Sequence, residues 1–211
     1  MRIIEKKTEN FRSFHFTKFN MVYLFFRNVF ILNVFIHGFR DTKYAKEDVY
    51  FEIVEPETLH YTFKARPAQD FGVPFNANYN NIGLVLAEPR HGCSTPINKY
   101  ELQNNIVLIE RGGCSFLSKC IQGERAGVLA VIICDNDASN DDQYIDMIHD
   151  TTRRNCSIPA LFILGKDGFM IKKSLSTHNL KRVICSILNE KETSRYPVFA
   201  EFNNLMSANG L

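Results

Sequence analysis

The sequence predicts a one-domain α+β fold, with strands first and two β-α-β-like units after them. Three observations carry that prediction. Two runs rich in β-branched and aromatic residues open the globular part, VYFEIV (Val49–Val54) and LHYTF (Leu59–Phe63). In the middle, a short apolar run, a double-glycine turn and a helix-period segment follow one another (Ile106–Arg125). The next run, VLAVIIC (Val128–Cys134), is apolar enough for a strand covered on both faces. A chain of 211 residues has room for one domain of ordinary size with a real core.

The first 36 residues read as a leader. Met21–Ile36 holds 13 apolar residues out of 16 and is preceded by positive charges. Interrupted by Arg27, Asn28 and Asn33, it falls short of the roughly 18–20 clean apolar residues that span a bilayer. A secretory signal peptide fits it better, with processing near Ile36–Gly38. An uncleaved signal anchor is the alternative, because the site has no clear small-x-small pattern, and Met21 is a second candidate start.

The elements then follow in order. Glu55–Thr58 reads as the hairpin turn between the first two strands, and Ala65–Asn81, rich in Pro, Gly and Asn, as a long surface loop. Ile82–Leu86 and Ile106–Glu110 are short strands. Ser115–Arg125 has helical spacing, with Phe116/Cys120 and Leu117/Ile121 four apart on one face, and Gly127 suits the residue that ends it. Val128–Cys134 completes the first β-α-β unit. Ile158–Leu164, a helix over Asp167–Thr177 and Arg182–Leu188 form the weaker second one. Pro159 makes its first strand an edge strand or confines it to starting there. From Asn189 the chain turns polar and reads as a peripheral tail.

The formal net charge is +2, but residues 1–36 alone carry six Lys or Arg against two acids. The remaining 19 basic and 21 acidic residues offer no basic stripe, which argues against nucleic-acid binding. All six cysteines (Cys93, Cys114, Cys120, Cys134, Cys156, Cys185) follow the leader, and Asn155-Cys156-Ser157 is a glycosylation sequon. Leader, cysteines and sequon together predict entry through the endoplasmic reticulum, secretion, some disulfide pairing and a glycan on Asn155. With the leader removed, no later stretch reaches the length of a membrane span.

IVLIERGGCSFLSK (Ile106–Lys119), VIICDND (Val131–Asp137) and SIPALFILGKDG (Ser157–Gly168) together resemble the protease-associated (PA) domain, above all in the R-G-x-C-x-F turn after an apolar strand. The HGFRD start (His37–Asp41) and the order of elements share the likeness, which runs to Leu188. The resemblance divides the chain into a leader (1–36), a PA domain (37–188) and a tail (189–211). It implies a β-sandwich or barrel with flanking short helices, no active site, no cofactor, and a role in binding a protein or peptide partner or shaping access to one. It also implies a Cys93–Cys114 disulfide, worth on the order of 3 kcal/mol.

Cys114 is the strongest enzyme candidate, since a thiol at a strand-to-helix turn gains from the helix N-terminus, and His149 or His178 would supply a base. Its surroundings lack the second glycine of a nucleophile elbow, and no hydrolase motif accompanies it. A thiol hydrolase and a membrane-tethered luminal sorting or retention factor are therefore the alternatives to a secreted binding module. Cys120, on the apolar helix face beside Phe116, has the setting of a buried free thiol, while Cys120, Cys134, Cys156 and Cys185 allow three full pairings that the sequence does not rank. With no C-x2-C pair and scattered histidines, no zinc site is expected. Asp135–Asp146 places oxygens at positions 1, 3, 5, 7, 9 and 12 of a calcium loop (Asp135, Asp137, Ser139, Asp141, Gln143, Asp146). Asn140 where glycine belongs, and Asp146 where the longer Glu belongs, favour a solvated acidic loop instead, and no metal is expected. For binding, the loops Ala65–Asn81 and Asp135–Asp146 are the expected contributors.

Overall fold

The computed structural model describes residues 47–75 and 79–188. The leader, the His37–Asp41 segment and the tail from Asn189 lie outside these residues. The described elements are β1 (Val49–Glu55), β2 (Tyr61–Pro67), β3 (Ile82–Leu86), α1 (Lys99–Leu102), β4 (Ile106–Glu110), α2 (Phe116–Ala126), β5 (Ala130–Cys134), β6 (Ala160–Ile163), α3 (Gly165–Thr177) and β7 (Val183–Leu188). The seven strands close into a barrel in the order β1-β2-β6-β5-β4-β3-β7. The β3–β4, β4–β5 and β5–β6 pairs are parallel, and the remaining pairs are antiparallel. This is the α+β barrel with short flanking helices that the sequence predicts.

The period-2 pattern of the strands decides what fills the barrel. Phe51, Ile53, Phe63, Ala65, Leu84, Ile106, Leu108, Ala130, Ile132, Leu161, Ile163, Val183, Cys185 and Ile187 form one buried cluster, which Ile171 and Leu175 of α3 join. Phe51 faces Phe63 across the β1–β2 ladder, with ring centroids 5.2 Å apart. The alternate residues of the parallel strands form a second cluster outside the barrel, where Val107, Ile109, Val131, Ile133 and Phe162 meet Leu117, Cys120 and Ile121 of α2. Every residue of β5 is buried for this reason, and so is every residue of β4 except Glu110.

Helix α2 starts and stops where its sequence says it should. The Ser115 hydroxyl accepts the Ser118 N–H at 3.1 Å, and Gly127 ends the helix in the left-handed region at φ 81°. Its approach to the sheet depends on Gly123, where a β-carbon would stand 2.7 Å from Val131.

Three expectations need correction. The second unit is no β-α-β crossover: β6 is already flanked by β5 and β2, so β7 inserts antiparallel between β1 and β3. A crossover does exist elsewhere, because β3 runs parallel to β4 through the single turn α1, too short to leave a periodic signal. The loop expected from Ala65 begins later. Arg66 and Pro67 still pair with Phe162 and Leu161, with the proline at the strand end, where a missing N–H costs little. Pro159 immediately precedes β6 and confines the strand to starting there, the second of its two expected effects. The first fails, because β6 lies between β5 and β2 and is not an edge.

Candidate binding groove

Asn98 builds one wall of a groove beside α3. Its amide donates to the Leu86 carbonyl at 2.9 Å, and its oxygen accepts the Glu88 N–H at 3.1 Å. The Ile97 N–H closes the same turn onto the Glu88 carbonyl at 2.8 Å. This bracing holds Ile97 and Tyr100 outward, 79% and 92% exposed. The opposite wall is the outer face of α3 and the residues after it. While Ile171 and Leu175 turn into the core, Phe169, Lys172, Lys173 and Ser176 line the groove, followed by Leu180 and Lys181. The groove has a volume of about 870 Å³.

Eight large apolar side chains are exposed among the described residues, and four of them (Ile97, Tyr100, Phe169 and Leu180) border this one groove. Its charged lining is predominantly basic, with Arg90, Lys172, Lys173 and Lys181 against Glu88 and Glu101. Lys172 pairs with Glu110 at 2.7 Å and Lys181 with Glu101 at 2.6 Å along the rim, the second pair largely in solvent. The sequence did contain a signal for this surface: Phe169 lies off the apolar stripe of its own helix. Among the described residues, neither of the two loops expected to bind lines the groove. Asp135–Asp146 borders a separate polar hollow of about 370 Å³.

Along that loop three of the carboxylates are held by protein groups. Asp135 is buried and accepts from Asn140 at 2.7 Å and Arg111 at 3.2 Å. Asp141 faces Lys166 at 3.8 Å, and Asp146 faces Arg66 at 3.1 Å. Asp135, Asp141 and Asp146 of the calcium pattern thus serve different partners.

Cys93 and Cys114 are bonded to each other, joining the turn before α1 to the turn before α2. Cys120 is not a free thiol: it is bonded to Cys156. The apolar face of α2 that buries it packs in the same cluster as Cys156. Cys134 and Cys185 are free and buried. The two candidate bases are occupied elsewhere. The ring of His149 bonds the Arg154 carbonyl at 2.8 Å and the Thr151 N–H at 3.0 Å, and that of His178 bonds the Thr58 hydroxyl at 3.0 Å. Asn155 is exposed, and its side-chain oxygen accepts the Cys156 N–H at 2.8 Å.

Comparison with known proteins is consistent with this architecture. Residues 81–171 match the PA domain. A PRADC1-like protein of Drosophila melanogaster is 43% identical over 138 residues, covering 64% of this chain and 69% of that one. The ER degradation-enhancing alpha-mannosidase-like protein 3 of Homo sapiens is 30% identical over 63% of this chain, which spans only 14% of its length. Among solved structures, an aminopeptidase from Aneurinibacillus sp. strain AM-1 superimposes with a TM-score of 0.46 at 17% identity, over 68% of this chain and 30% of the enzyme. On the match over residues 81–171 and the likeness to the fly protein, the chain belongs to the protease-associated (PA) domain family.

Proposed function

We propose that this chain is a secreted, non-catalytic PA-domain protein that binds an extended segment of a protein partner in the α3 groove. The observation that carries the reading is the gathering of Ile97, Tyr100, Phe169 and Leu180 on one concave surface. Exposed apolar residues scattered singly are ordinary, whereas a contiguous group rimmed by polar ones is the usual mark of an interaction site. Two exposed aromatic rings on braced walls provide contact area at little entropic cost. The lining has four Lys or Arg against two Glu. Although Arg90, Lys172 and Lys181 already face carboxylates of the protein, the remaining balance favours a segment carrying Asp or Glu beside an apolar side chain.

Absence of catalysis is supported by the bond that occupies the Cys114 sulfur and by the engaged rings of His149 and His178. The secretory route is supported by the leader, the two disulfides and the exposed sequon. Selection of a displayed peptide library on the immobilised protein tests the binding reading. Enrichment of sequences pairing an aromatic or aliphatic residue with acidic ones is expected. Their affinity should fall about tenfold or more in the Tyr100→Ser, Phe169→Ser double variant. A selection that enriches nothing, or binders indifferent to that variant, would overturn it.

A further inference from the structure

Lys119, on the first turn of α2, is wholly buried at 0% exposure. Its ammonium donates to the carbonyls of His91 at 2.5 Å and Gly112 at 2.6 Å. Those carbonyls belong to the two turns that Cys93 and Cys114 join. An ammonium has three donors, and with two on carbonyls the remaining near contact is the Cys93 sulfur, 3.7 Å away. A disulfide sulfur is a poor acceptor, while a thiolate at the same place would be a strong one. The site is thus better matched to Cys93 as a released thiolate than as half of a disulfide.

The second disulfide differs in one respect: among the described residues no ammonium is hydrogen-bonded to it. Cys120 and Cys156 are 0% and 1% exposed, and both sulfurs face the Ile158 carbonyl, at 3.8 and 4.0 Å. An oxygen dipole there would disfavour a thiolate. The Cys93 sulfur also lies near two carbonyls, of His91 at 3.5 Å and Gly112 at 3.7 Å, but these are the two that the Lys119 ammonium engages. Cys93 and Cys114 are only half-buried, and Gly113 keeps the space beside the Cys93 sulfur clear, since a β-carbon there would stand 3.1 Å from it.

We propose that Cys93–Cys114 is a site of thiol–disulfide exchange with small thiols, in which Cys114 is the attacked sulfur and Cys93 the leaving thiolate received by Lys119. A thiolate of the small thiol forms a bond to the Cys114 sulfur as the Cys93–Cys114 bond breaks. The electron pair of that bond departs on Cys93, facing the ammonium. A second thiolate then attacks the mixed disulfide and leaves as the small disulfide. Two electrons pass from two small thiols to the protein, which ends with both cysteines reduced. A leaving thiolate of lower basicity departs faster, and Lys119 lowers the basicity of Cys93 and not of Cys114.

The test uses the native chain and glutathione at one neutral pH, with acid quenching, alkylation and peptide mapping over time. Glutathione is expected on Cys114, with Cys120–Cys156 still closed. Lys119→Met should slow the opening of Cys93–Cys114 about tenfold, and Lys119→Arg should keep most of the rate. General loosening of the fold would speed opening, so a slower rate in Lys119→Met has no trivial structural origin. Glutathione found on Cys93 in the unaltered chain, both bridges opening together, or a Lys119→Met rate that is unchanged or faster would each overturn the proposal. The adduct position decides even where neither variant folds.

Discussion

A β-carbon on Gly165 would stand 1.7 Å from the carbonyl oxygen of Asp137. The first turn of α3 is pressed against the backbone of the acidic loop, and the Lys166 N–H bonds the Asn140 carbonyl at 3.0 Å beside it. No flexible side chain lies there to yield. Gly165→Ala is therefore expected to cost about 2–3 kcal/mol. A lowered midpoint of denaturant unfolding with an unchanged slope is the signature, and an unchanged midpoint would mean that the loop moves aside freely.

Asp135 links stability to pH. Burial alone would push its carboxyl up, but hydrogen bonds from Asn140, Arg111 and the Asp137 N–H outweigh that and hold it below the usual carboxylate value. A depressed folded-state pKa contributes stability above the unfolded value, about 3.9, and the contribution is lost as pH falls from there through the folded value. Asp135→Asn should consequently flatten the acid limb of a stability profile measured between about pH 2 and 6. An acid limb as steep as that of the unaltered chain would assign acid sensitivity to other carboxylates.

The fold was legible wherever neighbouring residues decide it. Ser115, the Phe116/Cys120 spacing and Gly127 specify α2 locally, and the unbroken apolar runs of β4 and β5 announce burial on two faces. The antiparallel seat of β7 was not legible, because it depends on which strand edges remain open once β5 and β2 flank β6. Arg66 and Pro67 looked like loop because their partners, Phe162 and Leu161, are far away in sequence. The groove escaped notice for a related reason. Ile97 and Tyr100 come from one segment and Phe169 and Leu180 from another, and an exposed apolar residue looks like a core residue until the chain is folded.

Cys134 and Cys185 should be chemically silent in the native state. Burial pushes their thiols up to about 11 and about 12, and neither has a disulfide partner. Alkylation without reductant should label neither in the folded protein and both after unfolding, read by intact mass. Native labelling of either would show that the barrel opens locally.

Removing Cys120–Cys156 should be costly, because the bridge closes a sequence separation of 36 residues between α2 and the strand-side loop. The Cys120→Ala, Cys156→Ala double variant is expected to lose about 3–4 kcal/mol of unfolding free energy. A loss below about 1 kcal/mol would mean that the reduced, unfolded chain already keeps these segments together.

Asn155 gives a direct readout of the cellular route. In a secreting eukaryotic cell the chain should carry an endoglycosidase-sensitive mass increment that disappears in Asn155→Gln. Its exposed position in the loop leaves room for a glycan on the folded protein. A chain without that increment, recovered only from cytosol, would remove the secretory assignment.

Among the described residues, each of the seven strands has a hydrogen-bonded neighbour on both sides, so the barrel has no edge strand. A partner peptide therefore finds no strand of the described barrel open along its whole length, although β2 meets β6 only at Arg66 and Pro67, and recognition by β-augmentation is disfavoured there. Main-chain pairing, which tolerates almost any sequence, is replaced by side-chain reading. A partner for this domain is accordingly expected to be selected by the identity of a few residues rather than by its readiness to become an eighth strand.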